Sequence, residues 1–183
     1  SSDLTFQTAG VPTHDWIVEM PRALDRHFRE FYSDELKERA AGVRVFTNTH
    51  PGHIISAMRI ANVVPGARFL FIKRDLNDVV LRIFMKKYRE GNFYAYDVKT
   101  IRAYVEWYYK MIDVLSERFP DITATIRYED MVVDPASVQK TAAALCGFQA
   151  PVEEPSLPGD DRGCGTPYTS FIEAALGSTY PVP

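Results

Sequence analysis

The sequence is poor in the features that mark several common classes of protein. It has only two cysteines, Cys146 and Cys164, and their spacing is not that of a metal site. No apolar run is long enough to cross a membrane, and Ser1–Gly10 does not resemble a signal peptide. The net charge of −3 argues against a general nucleic-acid binder. These absences predict a soluble, cytoplasmic protein that has neither a metal site nor a nucleic-acid partner.

The composition is that of an ordinary globular domain. Apolar residues make up 46% and charged residues 25% of the 183 positions, which is enough for one hydrophobic core. We expect a single domain over 1–183. Its expected parts are a helical N-terminal part over 1–40, an α/β core over 41–148 and an irregular C-terminal segment over 149–183.

Apolar periodicity divides the chain into alternating helices and strands. The predicted strands cover 43–46, 68–72 and 122–127. The predicted helices cover 13–39, 52–63, 77–89, 98–119, 135–145 and 169–176. Strands that alternate with helices predict an α/β fold, a three-layer sandwich with a central parallel sheet.

The most informative segment lies at the end of the second predicted strand. Phe69–Ile72 is a run of four apolar residues, which is typical of a strand covered on both faces. Asp75 is a favoured N-cap residue, so a helix is expected to begin directly after it. Arg74 would then lie where the carboxyl end of a strand meets a helix N-terminus, a common place for anionic ligands. The alternative is that Arg74 only pairs with Asp75 or Asp78 in a surface turn.

Three segments resemble motifs of the sulfotransferases that use 3′-phosphoadenosine-5′-phosphosulfate (PAPS). Lys73–Leu81 (KRDLNDVVL) resembles the RDPxDVxLS segment of that family. Ile126–Pro135 (IRYEDMVVDP) resembles RYEDLxxDP and is followed by Leu145–Phe148, which is similar to FLGL. Thr49–Pro51 (THP) is similar to the KTHxP segment of the cytosolic members. The motifs occur in family order and cover about residues 43–148, which makes the resemblance fairly specific.

The resemblance implies a P-loop NTPase-like sulfotransferase fold and an activity. The expected reaction moves a sulfuryl group from PAPS to a hydroxyl or amine of a small-molecule, glycan or lipid acceptor, and it leaves 3′-phosphoadenosine-5′-phosphate (PAP). No metal is implied. Residues 1–49 contain no segment like the PKSGTT loop that holds the 5′-phosphosulfate in this family. The chain is therefore expected to be either an incomplete stretch of a longer enzyme or a degenerate member, for example a non-catalytic binding or scaffold domain. A nucleotide kinase would need a Gly-Lys-Ser/Thr loop, which is not present.

The resemblance also assigns donor-binding residues. Arg74 matches the arginine that holds the 3′-phosphate, and Tyr128 matches a residue that lies against the adenine ring. Arg82 stands where the family has a second phosphate ligand, a serine, and either contacts phosphate or fills the pocket. Arg162 and Gly163 are similar to part of a loop that closes over the 3′-phosphate. The alternative for Tyr128 is a half-buried tyrosine at a strand end. For Arg162 and Gly163, the surrounding Pro and Gly residues favour a flexible tail over such a loop, so a flexible tail is expected there.

His50 is the expected catalytic base. Sulfuryl transfer needs a group that accepts the proton of the acceptor, and histidine titrates near neutral pH. His50 matches the histidine of KTHxP, while His53 is a rival three residues later. Asn48 stands where the cytosolic members have lysine, so one positive group of that motif is missing. Glu129 and Asp130 are expected to organise a turn instead of taking part in catalysis.

Overall fold

The computed structural model describes residues 47–49, 51–88, 92–149 and 159–177. The predicted helix over 13–39 and the predicted strand over 43–46 lie outside these ranges. The described helices are α1 (Ala57–Val63), α2 (Leu76–Met85), α3 (Val98–Arg118), α4 (Tyr128–Val133), α5 (Pro135–Cys146) and α6 (Thr169–Gly177). The described strands are β1 (Phe69–Lys73) and β2 (Thr123–Arg127). None of the described helices combines the length and the apolar character that crossing a membrane requires.

In the described part of the chain, β1 and β2 form a parallel pair. The register aligns Phe69 with Thr123 at one end and Lys73 with Arg127 at the other, so both strands stop at the same level. The connection between them contains α2 and α3. A parallel sheet with helical crossovers confirms the predicted α/β class.

The three-layer arrangement stays a prediction. Phe69 and Phe71 pack against a hydrophobic cluster that α1 and α3 share. Leu70 and Ile72 face the other side of the sheet and are 42% and 49% exposed. Among the described residues the core covers one face of β1, so coverage of the second face stays a prediction.

Helix α3 organises the core. Its predicted apolar face is confirmed for Ile101, Val105, Ile112 and Leu115, all of which are buried. The N-terminal half of that face packs with Val80 of α2 and Ile172 of α6. The C-terminal half packs with residues of α1 and of the 3₁₀ helix that precedes α1. Helix α3 thus holds α2 and α6 beside the end of the sheet where both strands stop.

The predicted helix ends are right where a cap defines them. The Asp75 carboxylate accepts a hydrogen bond from the amide of Asp78 at the start of α2, and Gly147 ends α5 in the left-handed conformation. Helix α2 ends at Met85 instead of Arg89. Beyond Met85 the sequence turns to charged residues that give the core no apolar face. The predicted helix over 52–63 begins as a 3₁₀ helix, Pro51–Ser56, and residues 128–133 form a short helix where a turn was expected.

Candidate functional site

The parallel register brings together two residues that lie far apart in the sequence. Arg74 follows β1 and Tyr128 follows β2, and the Arg74 guanidinium lies over the Tyr128 ring with its carbon 4.4 Å from the ring centroid. A cation at this distance is attracted to the face of an aromatic ring. The Arg74 side chain is only 15% exposed, so it is packed into the structure and does not extend into solvent.

Tyr109 of α3 fixes the backbone at Arg74. Its hydroxyl accepts a hydrogen bond from the Arg74 amide at 2.9 Å and donates one to the Arg74 carbonyl at 2.7 Å. Burial raises the pKa of Tyr109, which keeps the phenol protonated and able to donate. Sequence reasoning missed this residue, which looked like one more aromatic residue on a helix.

The Arg74 guanidinium already has several protein partners. Its Nη2 donates to Asp78 Oδ2 at 3.2 Å, to Cys164 Sγ at 3.4 Å and to the carbonyl oxygen of Asp161. Its Nε is buried and has no hydrogen-bond partner among the residues that the structure describes. A buried unsatisfied donor calls for an explanation, and a bound anion is one that would satisfy it.

Asp78 is the buried acceptor of the site, with 1% of its surface exposed. Its two carboxylate oxygens accept hydrogen bonds from the amides of Gly163 at 2.8 Å and Gly165 at 2.6 Å. Burial alone would raise the pKa of Asp78, but these two amides and the Arg74 guanidinium outweigh it and hold the pKa below its usual value. The sequence offered one signal for this role, the spacing of Asp78 four residues after Arg74.

The lowered pKa of Asp78 makes stability depend on pH at the acid end. The contribution of this carboxylate to the free energy of unfolding is complete above its unfolded pKa, near 3.8, and is lost as pH falls through the lower folded pKa. We expect urea unfolding below about pH 4 to show a slope of up to about 1.4 kcal/mol per pH unit from this group. Asp78→Asn should flatten that slope. Equal slopes in the parent and the variant would show that Asp78 is not the group responsible.

The Asp161–Gly165 turn packs on the site, which corrects the expectation of a flexible tail. The Asp161 amide donates to the Tyr128 hydroxyl at 3.1 Å, and the Asp161 carboxylate pairs with Arg82. Arg162 forms an ion pair with Asp160 at 2.7 Å. Hydrogen bonds from Arg162 lower the pKa of Asp160 to about 2. The turn thus places backbone and carboxylate groups among the residues predicted to bind the donor.

The structure brings most of the predicted donor-binding residues to one place. Arg74 and Tyr128 are in contact, and Arg82 reaches the turn through Asp161. Gly163 lies in the left-handed region at φ 68°, and its amide is engaged by Asp78. Arg162 is in the same turn, but its ion pair is local.

Glu129 has a bridging role. Its Oε1 accepts a hydrogen bond from the amide of Asp75 at 2.8 Å, which ties the residue after β2 to the start of α2. Burial would raise the pKa of Glu129, but the Asp75 amide and Arg127 together hold it below its usual value. The contact gives Glu129 a structural role at the start of α2.

The predicted base, His50, lies outside the described residues. The residue after it, Pro51, begins the 3₁₀ helix Pro51–Ser56, which includes the rival His53. The Tyr108 hydroxyl of α3 donates to the Pro51 carbonyl at 3.3 Å. The chain directly after His50 is therefore tied to the same helix that fixes Arg74 through Tyr109.

The comparison with known families shows to which family the chain belongs. The sequence model of the sulfotransferase family matches residues 5–151. The chain belongs to the sulfotransferase family. No curated protein and no solved structure matches the chain. The matched region of this sulfotransferase homologue includes Arg74 and Tyr128. It ends before the Asp161–Gly165 turn.

Proposed function

We propose that this member of the sulfotransferase family transfers a sulfuryl group from PAPS to a hydroxyl or amine acceptor. The observation that supports this best is the 4.4 Å contact between Arg74 and Tyr128. The 3′-phosphate and the adenine of PAPS belong to one nucleotide, so the residues that recognise them must be neighbours. Arg74 and Tyr128 match the family residues with these two roles, and the parallel strands make them neighbours.

The chemistry of the site fits an anionic nucleotide. A planar guanidinium binds phosphate through two parallel hydrogen bonds, and the Nε of Arg74 has no acceptor among the described residues. Arg82 and Arg162 are 53% and 40% exposed, and their carboxylate partners are similarly exposed. Because exposed ion pairs contribute little stability, both arginines can exchange a carboxylate for a phosphate at small cost. In this proposal Gly163 shapes the turn through its bond to Asp78.

His50 is proposed as the base. PAPS supplies an activated sulfuryl group, whose bond from sulfur to the 5′-phosphate oxygen breaks as the acceptor oxygen or nitrogen bonds to sulfur. The imidazole of His50 would take the proton that the acceptor loses, because histidine as a residue type can accept a proton near neutral pH. The proposed reaction uses no metal. Its acceptor is proposed to be a small molecule, a glycan or a lipid, and the proposed location of the protein is the cytoplasm.

A second function is a non-catalytic binding or scaffold domain. Each arginine assigned to the donor already has a carboxylate partner: Arg74 has Asp78, Arg82 has Asp161 and Arg162 has Asp160. A site that is neutralised internally in this way needs no nucleotide for its stability.

Calorimetric titration of the chain with PAP separates the two functions. We expect a dissociation constant in the micromolar range that rises at least about tenfold when adenosine 5′-phosphate, which lacks the 3′-phosphate, replaces PAP. Adenosine with a 3′-phosphate alone, as the matched ligand, should retain most of the affinity that Arg74 provides. Absence of binding at millimolar PAP would overturn the PAPS proposal and favour the binding domain.

A further inference from the structure

One buried carboxylate holds the Asp161–Gly165 turn against the start of α2. Asp78 accepts hydrogen bonds from the amides of Gly163 and Gly165, across 85 and 87 residues of sequence. The same carboxylate lies 3.2 Å from the Arg74 guanidinium. Asp78 therefore connects the predicted phosphate ligand with the turn.

The turn also fits tightly against the backbone of α2. A Cβ atom placed on Gly165 would lie 2.9 Å from the carbonyl carbon of Asn77 and from the amide nitrogen of Asp78. Both are backbone atoms, which cannot move aside as the end of a side chain can. Glycine is therefore required for the turn to reach Asp78 in this position.

The docked Asp161–Gly165 turn in return restrains the side chain of Arg74. Among the described residues, three acceptors surround Arg74 Nη2: the Asp161 carbonyl and Cys164 Sγ belong to the turn, and the third is Asp78. The Asp161 amide also holds the hydroxyl of Tyr128, whose ring the guanidinium covers. If the turn were released, Arg74 would keep only Asp78 and the face of the tyrosine ring, and a long flexible side chain would gain rotamer freedom.

We propose that Asp78 is a positioning residue of the donor site, which fixes the Asp161–Gly165 turn so that Arg74 is held ready for the 3′-phosphate. This inference rests on the proposed function, because it assigns Arg74 to that phosphate. It adds that recognition of the 3′-phosphate depends on the docked turn, about ninety residues away in the sequence. Asp78 acts through Arg74 and the turn and does not itself contact the donor.

Two variants test the inference from opposite sides of the contact. Gly165→Ala pushes the turn away and leaves the charges of Asp78 and Arg74 in place. Asp78→Asn keeps the shape of the side chain but removes its charge. Gly159→Ala is the control, because a Cβ there meets nothing within 4 Å. Each full-length variant is titrated with PAP and with adenosine 5′-phosphate, and thermal melting checks that it is folded.

We expect Gly165→Ala and Asp78→Asn to weaken PAP binding by about tenfold and to leave binding of adenosine 5′-phosphate unchanged, as expected for a weakened charge-assisted contact. Gly159→Ala should match the parent. A purely structural role would weaken both ligands equally, and this result would overturn the inference, as would an unchanged preference for PAP in Gly165→Ala. If Asp78→Asn does not fold, the two titrations of Gly165→Ala are sufficient to test the inference. If the parent chain shows no preference for PAP over adenosine 5′-phosphate, the proposed function is overturned together with the inference.

Discussion

Replacing His50 by alanine is expected to lower the rate of sulfuryl transfer by about 10²–10⁴-fold and to leave PAP affinity nearly unchanged. The reason is that a general base acts on the proton of the acceptor in the transition state and makes no contact with the nucleotide that would set its affinity. The measurement is the rate of PAP formation from PAPS with an acceptor found by screening hydroxyl and amine compounds, together with PAP titration of the same variant.

His53→Ala is the matched control for this experiment. His53 lies three residues further along, in the 3₁₀ helix that begins at Pro51. It should retain most of the activity if His50 is the base. The opposite pattern, in which His53→Ala is inactive and His50→Ala is active, would assign the base to His53. Loss of both PAP binding and turnover in His50→Ala would indicate a structural role for that histidine.

Arg74→Ala is expected to weaken PAP binding by about 10²–10⁴-fold and to change the affinity for adenosine 5′-phosphate much less. A bidentate contact to phosphate contains two charge-assisted hydrogen bonds, each of which contributes roughly 1.5–3 kcal/mol. Calorimetric titration with both ligands measures the two effects separately. An affinity for PAP within about twofold of the parent would show that Arg74 does not hold the 3′-phosphate.

Stability must be measured alongside this binding experiment. Arg74 is a partner of the buried Asp78 carboxylate, so its removal leaves that carboxylate, in the described part of the chain, with the amides of Gly163 and Gly165. Arg74→Lys keeps a positive charge and should recover part of the PAP affinity, since an ammonium acts as a point charge without the planar fork. Arg102→Ala is the control, because Arg102 forms an ordinary i,i+4 pair with Glu106 on α3.

The sequence alone was sufficient for the local structure around the site. The apolar run Phe69–Ile72 predicted β1, and Asp75 and Gly147 marked helix ends that the structure confirms. These signals are local, because a cap or a run of apolar side chains acts on the backbone within a few residues of its own position. The motif resemblance to sulfotransferases was confirmed by the family match over 5–151.

The environment of Arg74 was decided by the tertiary structure. The sequence left open whether Arg74 binds a ligand or pairs with a neighbouring aspartate. The structure shows the pair with Asp78, and the Arg74 Nε has no hydrogen-bond partner among the residues described. It also shows that the Asp161–Gly165 turn, expected to be a flexible tail, docks on that pair. A backbone amide is the same in every residue, so no residue type announces that the amides of Gly163 and Gly165 will meet a carboxylate. His50 lies outside the described residues and stays a prediction.

What the sequence determined by itself is therefore strands β1 and β2, the capped start of α2 and end of α5, and the family. Tertiary structure decided which residues of the site meet: the register of β1 and β2 places Arg74 against Tyr128, and Asp78 brings in a turn from 87 residues away. The physical reason is one of range. Backbone propensity and capping act between near neighbours, whereas strand register and loop docking depend on the packing of the whole core.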